Sequence, residues 1–326
     1  MRGSVYSSCL LAAVAAMTLA PPLFAADLST VEPPAQSGPL GPADSARPAD
    51  PVQAASAEAE TLKLGRDASR RLTLAVMING KGPYAFLVDT GADRTTISRE
   101  LARTLDLPAG PSVLVHATTG VDPEPTVTID RMDIGGRTVR GLKAPALAAK
   151  DLGADGMLGV DALHNLHLVM DFKQMQMSSS ESRAEEIDPR TIVVQGLNRY
   201  GQLVLTQSKI HGVPILVVVD SGSQLSIGNP ALMRLLVRNT GAASRRTAQI
   251  VSVTGRQMTL ALEDISEADV GGVTIRNMPM GFAQLHIFDR FGLTKQPAML
   301  LGMDVLQQCR KVTVDLRRRE ATFTLY

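Results

Sequence analysis

Two aspartates in this 326-residue chain stand in matching surroundings. Phe86-Leu87-Val88-Asp89-Thr90-Gly91-Ala92 and Val217-Val218-Val219-Asp220-Ser221-Gly222-Ser223 are each an apolar, strand-like run that ends in Asp-[Thr/Ser]-Gly. One such triplet says little, because a chain of this length carries on the order of 0.1 by chance and its residues are common in turns. Two, in the same strand context, predict a duplicated unit that brings a pair of carboxylates together. Such a pair has a definite chemistry. Two carboxylates about 3 Å apart cannot both ionise, so one keeps a proton. The ionised one can take a proton from water while the other gives one to a carbonyl or a leaving amine, and amide hydrolysis then needs no metal and no side-chain nucleophile. Gly91 and Gly222 let each loop turn tightly and bring backbone N–H groups toward the carboxylates.

The duplication extends beyond the triplets. Ile78 to Gly82 precedes the first Asp as Ile210-His211-Gly212 precedes the second. Met157-Leu158-Gly159-Val160-Asp161-Ala162-Leu163 matches Leu300-Leu301-Gly302-Met303-Asp304-Val305-Leu306, with the Gly 70 residues after Asp89 and 82 after Asp220. Leu168-Val169-Met170-Asp171-Phe172-Lys173 then mirrors Val312-Thr313-Val314-Asp315-Leu316-Arg317. Four features in one order make an internal repeat.

With Asp-[Thr/Ser]-Gly-[Ala/Ser] followed by apolar-apolar-Gly in both halves, the chain resembles the retropepsin-like aspartic proteases, in a bacterial form with both halves on one polypeptide. The resemblance covers roughly residues 62–326. It implies a mostly-β, bilobal acid-protease fold of the retropepsin/pepsin kind, two lobes related by a pseudo-two-fold axis with a cleft between them. It implies Asp89 and Asp220 as the catalytic pair around one water, Thr90 and Ser221 hydroxyls that brace the two loops, and Leu158-Gly159 and Leu301-Gly302 packed behind them. Asp161 and Asp304 read as caps of short helices.

Asp93-Arg94-Thr95 extends the first motif toward retroviral wording. In that family the second Asp contacts substrate main chain and pairs with an Arg after the downstream Gly. Here Val160 follows Gly159, and Gln224 stands where Asp93 stands in the first copy, so substrate contact and surface pairing both stay open for Asp93. Each half carries a candidate flap, a hairpin over the cleft, with tips at Thr118-Thr119-Gly120 and Val253-Thr254-Gly255. Thr119, Gly120, Thr254 and Gly255 are thus candidate substrate-binding residues, and two ordinary surface hairpins are the equal alternative. Two flaps resemble retropepsins more than pepsins.

Around these motifs, strands are predicted at 71–78, 84–89, 113–117, 126–134, 167–172, 191–196, 202–210, 213–220, 248–253, 257–263, 312–317 and 321–326. Short helices are predicted at Arg99–Thr104, Asp161–Leu166, Pro230–Val237 and Asp304–Gln308. An N-terminal lobe at 63–177, a polar inter-lobe linker at 178–190 and a C-terminal lobe at 191–326 follow. With 44% apolar residues, few aromatics and no Trp, the cores must be aliphatic. Net charge is +1 and the densest basic run is Arg317-Arg318-Arg319, so nucleic acid is not an implied partner.

Residues 1–26 read as a secretory signal: Arg2, an apolar run from Cys9 to Ala20, then Pro21-Pro22 and small residues. The run is short for a membrane span, with an uncleaved anchor as the alternative. The expected destination is the periplasm. Residues 27–62 are Ala/Pro-rich and read as a disordered spacer, or a removable pro-segment. Cys309 is the one cysteine left after cleavage and is expected in the core. His164 and His167 have metal-ligand spacing without a third ligand, so neither metal nor cofactor is expected. No nucleophile elbow or nucleotide loop is present. The expected partner is a polypeptide substrate, handled by one chain without a homodimer. The competing classes are an inactive peptide-binding or regulatory module on the same fold and an envelope structural protein.

Overall fold

The computed structural model describes residues 72–326 except 135–136, 164–165, 175, 182–188, 200–201 and 241–245. Before residue 72 it describes the backbone of five short strands: β1 (Ser8–Leu10), β2 (Val14–Met17), β3 (Leu28–Thr30), β4 (Glu60–Lys63) and β5 (Gly65–Arg66). The signal at 1–26 and the spacer at 27–62 otherwise lie outside the described residues.

The first repeat opens with β6 (Leu72–Ile78), which turns through Asn79-Gly80, both at positive φ, into β7 (Lys81–Val88). β8 (Thr96–Ser98) leads into α1 (Arg99–Thr104), whose N-cap Ser98 Oγ accepts from Leu101 N at 3.0 Å. β9 (Ala109–Ala117) and β10 (Gly120–Ile134) form a long hairpin, followed by β11 (Arg137–Leu147), α2 (Ala149–Leu152), β12 (Gly156–Leu158) and α3 (Val160–Leu163). β13 (Leu166–Asp171), β14 (Gln176–Glu181) and β15 (Thr191–Arg199) connect the halves.

The second repeat runs β16 (Gln202–Ile210), β17 (Val213–Val219), β18 (Ile227–Gly228), α4 (Pro230–Thr240), β19 (Thr247–Ser252), β20 (Gln257–Val270), β21 (Val273–Phe282), α5 (His286–Arg290), β22 (Ala298–Leu301) and α6 (Met303–Leu306), then β23 (Lys311–Asp315) and β24 (Glu320–Thr324). Its hydrogen-bonded order is β19-β20-β21-β18-β22-β17-β16, closed by β20 on β16. The first repeat has β9-β10-β11-β8-β12-β7-β6, closed by β10 on β6. The two halves match strand for strand. In both, the strand that enters the Asp loop runs parallel to the short apolar strand before the Gly: β7 with β12, and β17 with β22.

The strands before the aspartates read as unbroken apolar runs because they are buried on both faces. Phe86 and Val88 point into the inner core of their lobe, with Leu74, Ile97 and Leu158. Leu87 points the other way, into a cluster with Val113, Val115, Leu147 and Met157. In the second repeat Val217 and Val219 join one core while Val218 joins the other. Full burial of each such side chain contributes roughly 1.5–3 kcal/mol, which anchors the loops that follow. Cys309 lies in the second core, 1% exposed, where burial pushes its thiol up to about 12.

A further sheet joins the halves in the order β15-β24-β23-β13-β14-β4. β13 of the first half pairs antiparallel with β23 of the second, Leu168 facing Val314. Within the expected linker at 178–190, Ser178 to Glu181 continue β14, which pairs with β13 on one side and β4 on the other. The remainder of that segment, 182–188, lies outside the described residues. His167 faces Asp315 in this sheet, Nδ1 to Oδ2 at 3.5 Å, and both are buried. His164 lies outside the described residues. Among the described residues no group of three or more His, Cys, Asp or Glu could hold a metal ion.

Candidate active site

β7 and β17 deliver Asp89 and Asp220 to the middle of the molecule, where both are fully buried. Each loop is pinned from behind by a neighbouring strand: Asp89 N donates to Leu158 O and Asp220 N to Leu301 O, both at 3.1 Å. Each loop then folds back on its own carboxylate. Gly91 N donates to Asp89 Oδ1 at 2.7 Å, and Gly222 N and Ser223 N donate to Asp220 Oδ1 at 3.0 and 3.2 Å.

The two loops are tied across the pseudo-two-fold by Thr90 and Ser221. Thr90 Oγ1 donates to Val219 O at 3.0 Å, and Ser221 Oγ donates to Val88 O at 2.9 Å. Each hydroxyl also accepts the other residue's backbone N–H at 3.1 Å. Both hydroxyl protons and both backbone N–H groups of Thr90 and Ser221 are used in this buried network, which makes it rigid. Asp220 is held well above the usual carboxylate range by burial and then by the charge of Asp89, its neighbour in the pair. The pair therefore retains a proton and titrates as a unit.

Gly222 lies against the partner carboxylate. An alanine Cβ there would stand 2.6 Å from Asp89 Oδ1 and closer still to Cγ and Oδ2. The downstream glycines are equally confined. A Cβ at Gly159 would stand 2.6 Å from Arg94 O, and one at Gly302 would stand 2.7 Å from the Leu225 carbonyl carbon.

Behind the loops is a second brace whose polar partners sequence reasoning missed. Asp161 Oδ1 accepts from both Thr95 N (2.8 Å) and Thr95 Oγ1 (2.7 Å). Asp304 accepts from Ser226 N (3.0 Å) and Ser226 Oγ (2.8 Å). Thr95 Oγ1 and Ser226 Oγ in turn accept the Gly159 and Gly302 N–H groups. Each aspartate also accepts a helical N–H, from Ala162 and Val305, as a capping residue does. The missed signal was in register: Thr95 and Ser226 stand at the same offset after their aspartates.

Burial raises Asp161 and pushes Asp304 up to about 6. The Asp304 value in the folded state lies above that of the unfolded chain, so its contribution is full below about pH 4 and lost as pH rises through 6. Asp304→Asn should therefore lose roughly 2 kcal/mol less stability than the wild type between pH 4 and pH 7. Urea unfolding at the two pH values checks this. The lost Ser226 N–H bond lowers the variant at both, so the pH difference is the readout, and an unchanged difference contradicts the assignment.

The two hairpins meet each other, Arg256 of the second bonding Asp122 of the first. The tips fall at Thr118-Thr119 and Val253-Thr254, with Gly120 and Gly255 at positive φ. The flaps cross to opposite lobes. Val253 is fully buried in the first repeat's cluster with Leu87, Val113, Leu152 and Met157. Thr118, its counterpart, gives its carbonyl to His286 N of α5 at 2.9 Å. Asp93 is half-buried at the loop's far end, where its carbonyl accepts from Asp161 N.

Two family models match the chain in tandem. The "gag-polyprotein putative aspartyl protease" model covers residues 74–165, and the "Aspartyl protease" model covers residues 206–305. No curated relative matches it. Each matched segment holds one aspartate of the buried pair and the Gly strand behind it, and the two halves share one strand order. The chain thus belongs to the retropepsin-like aspartyl proteases, with two repeats on one polypeptide.

Proposed function

We propose that the chain is an aspartic endopeptidase that hydrolyses polypeptides with Asp89 and Asp220 as its catalytic pair. The observation that carries this is the buried pair of neighbouring carboxyls, one from each repeat, braced by Thr90 and Ser221. A water between the carboxyls gives a proton to the ionised aspartate and attacks the scissile carbonyl, while the protonated aspartate donates to the carbonyl oxygen. The aspartate that took the water's proton then gives it to the leaving amine as the C–N bond breaks, and the other regains its proton from a hydroxyl of the tetrahedral diol, which restores the starting pair. Both half-sites come from one chain, so a monomer suffices.

The flap tips, with Thr119, Gly120, Thr254 and Gly255, lie over the peptide, and Asp93 meets its main chain. Val253 in its aliphatic pocket supports a preference for apolar side chains beside the cut, since opening the flap frees that pocket. The leader-like N-terminus supports action in the periplasm.

The test is cleavage of a mixed peptide library by the purified protein from pH 4 to pH 7, with and without pepstatin. Cleavage that declines as the pair loses its proton is the expected result. Peptide affinity without cleavage at any pH assigns the chain to the inactive peptide-binding class instead.

A further inference from the structure

The first flap is gripped from two sides by groups outside the repeat motifs. On one side is α5, whose first N–H donates to Thr118 O. Beside that bond, His116 Nδ1 on β9 lies 2.8 Å from His286 Nε2, with the rings stacked at 5.1 Å between centroids. On the other side is Arg256 of the second flap. Its Nε and Nη2 bond the Asp122 carboxylate at 2.5 to 2.9 Å, and Nη2 reaches Val121 O at 3.2 Å. Gly120 sits beneath the same guanidinium. Residues 116–122 are therefore tied to the opposite lobe and the opposite flap at once.

We propose, on the reading of the cleft as proteolytic, that His116 and His286 form an acid-released latch. It holds the first flap shut at neutral pH and frees it for a polypeptide substrate once both rings are protonated. A contact between two ring nitrogens needs one N–H and one lone pair. The neutral pair supplies both, and a first proton strengthens the bond. A second proton leaves two N–H groups facing each other between two cations, and the bond is lost.

The surroundings favour this. On α5, Arg290 adds positive charge, while Asp289 is engaged by Gln284 and Thr294. On β10, Asp122 is bound by Arg256, which holds it below the usual carboxylate range. The strand β1 that pairs with β9 contains no charged residue. Burial, Arg290 and His286 together hold His116 below the usual imidazole range, so the second proton arrives in mild acid. The Asp122–Arg256 pair survives that interval, so the flap loosens on the α5 side alone.

Amide hydrogen exchange on the substrate-free protein, corrected for intrinsic rates, tests the latch. From pH 7.5 to pH 5, protection of the His286 amide and of residues 113–121 should fall about tenfold or more, while β23 stays unchanged as the internal reference. His286→Gln keeps a hydrogen-bonding group but cannot become cationic, and should abolish that pH dependence. His116→Phe, which keeps the stack, makes the same comparison should the first variant not fold. Asp122→Asn should raise exchange equally at both pH values. Protection that is flat with pH in the wild type, or that falls as much in the histidine variants, overturns the latch. The readout is exchange and not cleavage, so a protein that opens in acid but cuts nothing would sink the proteolytic reading and leave the latch standing.

Discussion

Asp89→Asn and Asp220→Asn are each expected to lower peptide cleavage by at least about a thousandfold, and Asp220→Asn is expected to make the fold more stable at neutral pH. The rate loss follows from the chemistry. An amide in place of either carboxyl leaves the pair unable to hold one proton and one vacancy together, and general acid–base catalysis of this kind contributes roughly 10²–10⁴ per step. The stability gain follows from the electrostatics. Burial and the charge of Asp89 raise Asp220 well above its ordinary range. That folded value exceeds the unfolded one, so wild-type stability is full below about pH 4 and falls as pH rises.

The asparagine has no such dependence. Wild type and Asp220→Asn should therefore have similar Tm values near pH 4 and diverge toward pH 7, the variant higher. Calorimetry at the two pH values, beside the cleavage assay, measures both effects. Substantial activity in either purified variant would end the pair's catalytic role. A lower Tm at pH 7 would mean that the Gly222 and Ser223 N–H bonds outweigh the cost of burying the charge.

Gly222→Ala should reduce cleavage by about a hundredfold or more, through geometry alone. The added Cβ has nowhere to go, because it falls on the Asp89 carboxyl itself. Asp89 cannot turn aside, since Oδ1 is held by Gly91 N and the loop is tied to the second repeat through Thr90 and Ser221. A displacement of about 1 Å at reacting atoms costs on the order of 10²-fold, and overpacking a filled site costs about 1–3 kcal/mol. Gly80→Ala is the control, because its Cβ would meet nothing within 4 Å; its positive φ costs some stability far from the pair. A Gly222→Ala enzyme with normal kcat would show that the loops yield where the hydrogen bonds say they are rigid.

Much of the architecture was legible because the repeat carries its information locally. β16 spans the predicted 202–210 and α1 the predicted Arg99–Thr104, where apolar pattern and cap coincide. The losses were of three kinds. β8, β12, β18 and β22 have two to four residues each, too few to show a period of two, and they exist because a parallel neighbour holds them. β10 and β20 were read short because Pro123 and Pro125 in one, and Asp264 and Glu267 in the other, look like loop. A flap strand tolerates such residues where one face or edge is solvated. β21 was missed although Gly271-Gly272, both at positive φ, form a two-residue hairpin turn between Val270 and Val273.

The candidate site divides along the same line. From residue types and spacing alone came the two Asp loops, the hydroxyls beside them, the glycines behind them and the hairpins above. All of these repeat in sequence, and a repeated motif announces its own partner. The tertiary structure alone decided what meets across the pseudo-two-fold: Val253 in the other lobe's pocket, Arg256 on Asp122, His116 on His286, and β13 beside β23. These pairs differ between the halves and join residues 134 to 170 positions apart where polar groups meet. No local propensity encodes such a meeting; it follows only once two cores have packed and brought the two hairpins together.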